Sequence, residues 1–127
     1  MMLQSFIRKM RQKLYYQKIF IDCTASETIT DYYPQILKNG IHIVTPNKKA
    51  LSCSFQKYKK IKQSALSGKA KFLYETTVGA GLPVINTLRS LYDTGDQIFR
   101  IEGVLSGTLS YIFNHYDGQK QFSLYRQ

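Results

Sequence analysis

One carboxylate, Glu75, heads the stretch ETTVGAGLP at residues 75–83, and the residues after it are suited to expose main-chain polar groups. Gly79 and Gly81, on either side of Ala80, let the backbone take positive φ and let another group come close. Pro83 suits the first position of a helix, where no amide hydrogen is needed. A strand, a tight turn and a helix start together aim carbonyls and amides at one point beside one acid. Such a point suits a cation or a polar ligand. The plainer reading is a strand-to-helix connection whose glycines serve packing alone. Two further residues stand where chemistry is done in open α/β sheets, just beyond strand ends: Thr24 after Ile19-Phe20-Ile21, and Lys48 after Ile41-His42-Ile43-Val44. A lysine there can meet a phosphate, a carbonyl or a carboxylate, or can be an ordinary surface residue before a helix.

These residues need elements to hold them. Ile19–Ile21 is a short apolar run of the buried-strand kind, and Ser26 can cap a helix that Glu27 opens. That helix runs toward Leu37-Lys38, bends at Pro34, and stops at Asn39-Gly40 before the second strand. Strand, helix, strand within so few residues is a βαβ unit, hence a parallel pair with a right-handed crossover. A helix comes next with Leu51, Phe55, Tyr58, Ile61 and Leu66 as its core stripe, Lys57, Lys59, Lys60 and Lys62 as a solvated flank, and Gly68 as its end. Lys71–Tyr74 reads as a strand that delivers Glu75. Beyond Pro83, Ile85, Leu88 and Leu91 share a helical face, and Ile98–Val104 reads as another strand. Ser106-Gly107-Thr108 makes a small polar turn before the apolar helix start Leu109, Tyr111, Ile112 and Phe113. Residues 1–18 place Leu3, Phe6, Ile7, Met10 and Leu14 on one face of a basic amphipathic helix.

A chain of 127 residues with 43% hydrophobic content, ten Tyr and seven Phe is a globular chain with enough length for a core. Cys23 and Cys53 stand far apart without a CxxC, which predicts two reduced thiols in a cytoplasmic protein and no zinc site. No apolar run approaches the ~18 residues of a membrane span, so no membrane partner is expected. Charge is uneven: residues 1–71 carry 14 Lys and Arg against 3 acids, and residues 72–127 carry 4 against 5. That asymmetry fits a basic RNA-binding module, but equally a phosphate-bearing cofactor. Phe55 and Tyr58 fall on the expected core stripe instead of forming a stacking platform, so a nucleic-acid partner is not expected.

Four blocks taken together carry a resemblance: DCTAS at 22–26, VTPNKKA at 44–50, ETTVGAGLPVINTL at 75–88 and IEGVLSGTLSYIFN at 101–114. In this order and spacing they resemble homoserine dehydrogenase, above all the dehydrogenase part of bifunctional aspartokinase–homoserine dehydrogenases. The resemblance covers about residues 19–124 and leaves 1–18 as an unmatched helix. It implies an α/β fold: the late part of a Rossmann-like nucleotide-binding domain at 19–70, then the start of an α+β catalytic domain at 71–127, truncated. It also implies an NAD- or NADP-dependent enzyme that interconverts L-homoserine and L-aspartate 4-semialdehyde on the route to threonine and methionine. Carried over by position, Thr24 and Lys48 contact the nicotinamide cofactor, and Lys48 also lies near the reacting substrate. Glu75, with the carbonyls of Val78, Ala80 and Leu82, matches a sodium-like monovalent-cation site. Gly107 and Thr108 match the turn bordering the substrate. The family is commonly a homo-oligomer.

Two departures qualify what the resemblance implies. The family's GxGxxG-type loop, where the pyrophosphate rests on a helix N-terminus, has no counterpart among the glycines of this chain. The family's substrate-binding acids and proton-transferring lysine come after the block that here ends at Asn114. The expectation is therefore the middle of a homoserine dehydrogenase, inactive alone or completed by a complementing chain.

Overall fold

The computed structural model describes residues 2–12, 16–104 and 106–116. They fall into two compact units, 1–77 and 78–127. The first unit runs α1 (Met2–Gln12), β1 (Ile19–Ile21), α2 (Glu27–Thr30), α3 (Tyr33–Lys38), β2 (His42–Val44), α4 (Phe55–Ser67) and β3 (Phe72–Leu73). Single 3-10 turns at Lys48–Ala50 and Glu75–Thr77 come after β2 and β3. The second unit holds α5 (Val84–Asp93) and α6 (Gly107–His115).

The three strands form one parallel sheet in the order β1-β2-β3, with Phe20, Ile43 and Phe72 in one row and Ile21, Val44 and Leu73 in the next. The βαβ expectation is met. Because side chains alternate across a strand, only the first row enters the core, beside Ile7 of α1, Tyr33, Ile36 and Leu37 of α3, and Ile61 and Ala65 of α4. The second row is exposed, Ile21 at 67%. So β1 is not a strand buried on both faces: within this unit the helices cover one side of the sheet.

Pro34 does more than bend its helix. Lacking an amide hydrogen and crowding the carbonyl four residues back, it divides the segment into α2 and α3, with Pro34 in the first turn of α3. Ser26 sits at the N-cap of α2 without capping it, since its hydroxyl is paired with Thr28 Oγ1 at 2.9 Å. The stop after α3 is a Schellman turn: Gly40 at φ 72° donates to Leu37 O, and Ile41 N–H reaches Ile36 O.

The stripe on α4 differs from the one expected. Ser54 caps the helix by accepting from Lys57 N–H, so the helix starts at Phe55, and Leu51 precedes it. Ile61 and Ala65 are its buried residues, Tyr58 is half-buried, and Phe55 (75%) and Leu66 (80%) are exposed. Nor is its flank wholly solvated. Lys57 Nζ reaches Asp31 Oδ1 at 2.5 Å and Thr30 Oγ1 at 2.9 Å, and Lys62 Nζ lies 5.5 Å from the Tyr74 ring centroid.

On α1, Ile7 is buried and Leu3 and Met10 pack beside it, as the amphipathic pattern requires. Phe6 is half exposed with its ring 6.3 Å from that of Phe20, and Leu14 lies outside the described residues.

In the second unit, α5 forms where Ile85, Leu88 and Leu91 predict it, with Pro83 at its N-cap. The strand expected at 98–104 is absent: these residues are exposed and pair with no described strand. A β-run needs a neighbour for its N–H and C=O groups, and apolar composition alone supplies none. On α6, Ile112 is buried, while Leu109, Tyr111 and Phe113 are exposed rather than forming a buried helix start.

Candidate functional site

The carboxyl ends of β1 and β2 are joined by a buried polar cluster. Asp22 follows β1 directly, and its Oδ2 accepts from Tyr33 Oη at 2.6 Å and from Asn47 Nδ2 at 3.1 Å. Its Oδ1 accepts from the Thr24 backbone N–H at 2.8 Å, and its own carbonyl accepts from Thr45 Oγ1 at 2.8 Å. Asn47 also donates to Ser26 O and accepts from Lys49 N–H, and its own N–H reaches Thr45 Oγ1. Asp22, Tyr33, Thr45 and Asn47 are all buried.

Burial pushes the Asp22 carboxyl up. The hydrogen bonds from Tyr33, Thr24 and Asn47 outweigh it and hold the group below the usual carboxylate value of 3.8. The Tyr33 hydroxyl is pushed well above its usual 10.0, first by burial and then by its bond to the Asp22 carboxylate. The two shifts have opposite consequences for stability. A depressed carboxylate stabilises the fold above its unfolded value, and that contribution is lost as pH falls below about 4. A raised phenol stabilises the fold fully below about 10, and that contribution is lost as pH rises beyond it. A urea-midpoint profile is therefore expected to be flat between these limits as far as this pair is concerned. In Tyr33→Phe the alkaline fall should shrink; an unchanged alkaline limb would remove Tyr33 from the account.

Around this cluster stand the residues singled out in the sequence. Thr24 is exposed, its backbone held by Asp22 and its Oγ1 accepting from Ser26 N–H. Lys48 is exposed on the turn that Asn47 caps, and its ammonium meets no described residue through a hydrogen bond or ion pair. These two are brought to neighbouring strand ends in one unit. Asp22, Tyr33, Thr45 and Asn47 were not among the sequence candidates. Their signal is D-x-T after one strand and T-x-N after the next, legible as a cluster only once the strands are known to be adjacent.

Glu75 lies half-buried in its 3-10 turn at the end of the first unit. Val78, Ala80 and Leu82 open the second unit, where Leu82 N–H donates to Gly79 O at 3.0 Å. The left-handed residues there are Gly79 (φ 70°) and Ala80 (φ 52°), not Gly79 and Gly81. Gly107 and Thr108 are exposed in the first turn of α6, where Ser106 Oγ accepts from Leu109 N–H. Among the described residues no three His, Cys, Asp or Glu side chains gather as a metal cluster. No described helix is long and apolar enough to cross a membrane.

Comparison with known proteins gives these strand ends a context. A model of the homoserine dehydrogenase NAD binding domain matches residues 2–75, and a model of homoserine dehydrogenase matches residues 83–125. The chain belongs to the homoserine dehydrogenase family. It is 51% identical over 106 residues to a bifunctional aspartokinase/homoserine dehydrogenase 2, chloroplastic, of Zea mays, covering 84% of this chain and 12% of that protein. It is 54% identical over 98 residues to the homoserine dehydrogenase of Paracoccidioides brasiliensis, covering 77% of this chain and 26% of the relative. A crystal structure of a Candida auris protein of unknown function superposes with a TM-score of 0.75 at 40% identity, over 87% of this chain and 32% of the other. The chain thus spans between about an eighth and about a third of these relatives. As a homoserine dehydrogenase family member it carries the expected α/β architecture of a Rossmann-like NAD-binding domain, here a small parallel sheet with helices.

Proposed function

We propose that this chain supplies the nicotinamide side of a homoserine dehydrogenase, which interconverts L-homoserine and L-aspartate 4-semialdehyde with NAD or NADP. The observation that carries this reading is an exposed Lys48 ammonium, unpaired among the described residues, and an exposed Thr24, the two loops held beyond neighbouring strands by one buried cluster. The cofactor's donor set fits such a place: Thr24 offers a hydroxyl and Lys48 a mobile cation. A bound reduced nicotinamide would supply hydride to the aldehyde carbon of L-aspartate 4-semialdehyde, whose oxygen becomes an alkoxide and then takes a proton; in reverse, the hydroxyl proton is lost and hydride returns. The chain's own part is then electrostatic: Lys48 holds the substrate oxygen as negative charge develops on it. Gly107 and Thr108 border the substrate in this reading, and Glu75 with the carbonyls of Val78, Ala80 and Leu82 holds a sodium-like cation, an oxygen-only set that hard cations prefer.

The division into a nucleotide-binding part at 19–70 and the beginning of a catalytic part at 71–127 belongs to the same proposal, as does a cytoplasmic setting. So do the partners: a homo-oligomer, or a complementing chain. The exposed Ile19 and Ile21 of β1, which among the described strands pairs with β2, favour a polypeptide neighbour. An RNA partner is less well supported, because Lys57 and Lys62 are engaged within the fold.

The test is a titration of the 127-residue chain with NADPH and NADH, read by fluorescence of the reduced nicotinamide and run in sodium and in tetramethylammonium chloride. Saturable, weak binding is expected, with homoserine-dependent reduction of NADP near zero because these residues contain neither the phosphate loop nor a counterpart of the family's proton-transferring lysine. No saturation by concentrations on the order of 1 mM would remove the cofactor reading. A melting temperature indifferent to the cation exchange would remove the sodium site.

A further inference from the structure

We infer that Asp22 is a positioning residue that ties the Thr24 loop and the Lys48 turn into one unit, so that both present their side chains to the nicotinamide together. This rests on the cofactor reading above, and it assigns a role to a buried residue.

The geometry is specific. The loop after β1 spans residues 22–26 and the turn after β2 spans 45–49, and the chain between them passes through α2 and α3. Backbone pairing of β1 with β2 ends at Asp22 N–H to Val44 O, so beyond that point side chains must hold the two segments. Asp22 does so from both ends of its carboxylate. Oδ1 takes the Thr24 amide, which sets the direction of the first loop. Oδ2 takes the Asn47 amide, and Asn47 in turn accepts the Lys49 N–H and donates to Ser26 O in the first loop. Tyr33 completes the set from α3: its hydroxyl donates to Oδ2 while its ring packs edge-on against Phe72 at 5.7 Å. The tie is thereby anchored to the core and not only to itself.

Asparagine at position 22 cannot reproduce this. The Thr24 N–H at Oδ1 and the Asn47 amide nitrogen at Oδ2 can only donate, so an amide nitrogen placed on either side would face a donor. The loss should pass beyond the direct partners, because Lys49 N–H is bonded to Asn47 and not to Asp22. A residue with only a local packing role would leave that distant amide alone.

The experiment uses Asp22→Asn and Tyr33→Phe in the 127-residue chain, read by amide hydrogen exchange and by NADPH titration. In Asp22→Asn the Thr24 and Lys49 amides are expected to exchange at least roughly tenfold faster, while Ile43 and Ile61 keep their protection. NADPH affinity should fall by about tenfold, the size of an ordinary coupling within a shared network. Tyr33→Phe, which keeps the ring on Phe72, should show a smaller change of the same pattern, and it decides the matter if Asp22→Asn does not fold. Two results overturn the inference: Lys49 protected as in the wild type while Thr24 alone is released, or undiminished NADPH affinity in the folded variants. If the wild-type chain binds no NADPH, the cofactor reading fails separately, and the tie between the loops stands or falls on the exchange pattern.

Discussion

Gly68→Ala is expected to be among the most destabilising single changes in the first unit. A Cβ built on Gly68 would lie 1.9 Å from Leu37 O, 2.8 Å from Leu37 C and 2.9 Å from Lys38 Cα. All three are backbone atoms of the last turn of α3, so no rotamer change can make room. The helices α3 and α4 must move apart, and Ile36, Leu37, Ile61 and Ala65, packed in the same core, move with them. Overpacking of a core costs typically about 1–3 kcal/mol, and a clash with main chain on both sides belongs at or beyond the upper end. Against it stands the usual gain of about 0.4–1 kcal/mol when Gly becomes Ala at a compatible φ, as the −84° here is. The clash wins. Out of the ~5–15 kcal/mol that hold a typical domain, a net loss near 3 kcal/mol should lower the melting temperature by roughly 10–20 °C. The contrasting variant is Gly81→Ala, whose Cβ would meet nothing within 4 Å and which should stay close to wild type. Equal urea midpoints for the two variants would show that α3 and α4 do not approach as described.

That glycine also shows where sequence reading ends. Its position at the end of a helix was legible, because a helix stop is a local event written in a few residues. The contact with Leu37 was not, since nothing in residues 60–68 records which helix lies across from them. The same division runs through the fold. Gly40 ending α3 and the parallel pairing of β1 with β2 arise from local chemistry or from chain-crossover rules, whereas Pro34, expected only to bend one helix, divides the segment in two. The stripe on α4 differs because Phe55 and Leu66 are large and apolar, yet the positions that face the core are those of Ile61 and Ala65. Ile98–Val104 failed for the opposite reason: its composition suits a strand, but a strand exists only with a partner.

The site divided likewise. Thr24 and Lys48 could be picked out because strand ends are where ligands gather in such sheets, and the family blocks around them are distinctive. Asp22 and Asn47 stayed hidden because a buried acid and a buried amide mean little until two loops far apart in sequence are brought within hydrogen-bond reach. The resemblance supplied names for Glu75, Val78, Ala80 and Leu82, but Ala80 rather than Gly81 taking the left-handed conformation was beyond it. Alanine there accepts a backbone strain that glycine would avoid.

In a homoserine dehydrogenase carrying this segment, Lys48→Ala is expected to lower kcat by about 10²- to 10³-fold, equivalent to roughly 2.7–4 kcal/mol of transition-state stabilisation. Lys48 does little for the fold itself. Its side chain is exposed and has no hydrogen-bond or ion-pair partner among the described residues, and its turn is held by Asn47 through the Lys49 amide. Removing it should therefore change stability by no more than about 0.5 kcal/mol, the range for surface substitutions away from special features. An unpaired ammonium at a strand end can answer charge that develops only during reaction, and an interaction of that kind acts on kcat rather than on substrate binding. Lys48→Arg keeps the charge but replaces a compact point donor with a planar fork, so partial recovery is expected and not full activity. Lys49→Ala, one residue on and equally exposed, leaves the Asn47 cap in place because that bond uses the backbone, and it should leave kcat within a few-fold of wild type. Steady-state kinetics in both directions of the reaction, beside melting temperatures of each variant, separate the cases. A kcat unchanged in Lys48→Ala would show that this ammonium plays no part in hydride transfer. Equal losses in the Lys48 and Lys49 variants would assign the effect to the general positive potential of the turn and not to a single placed cation.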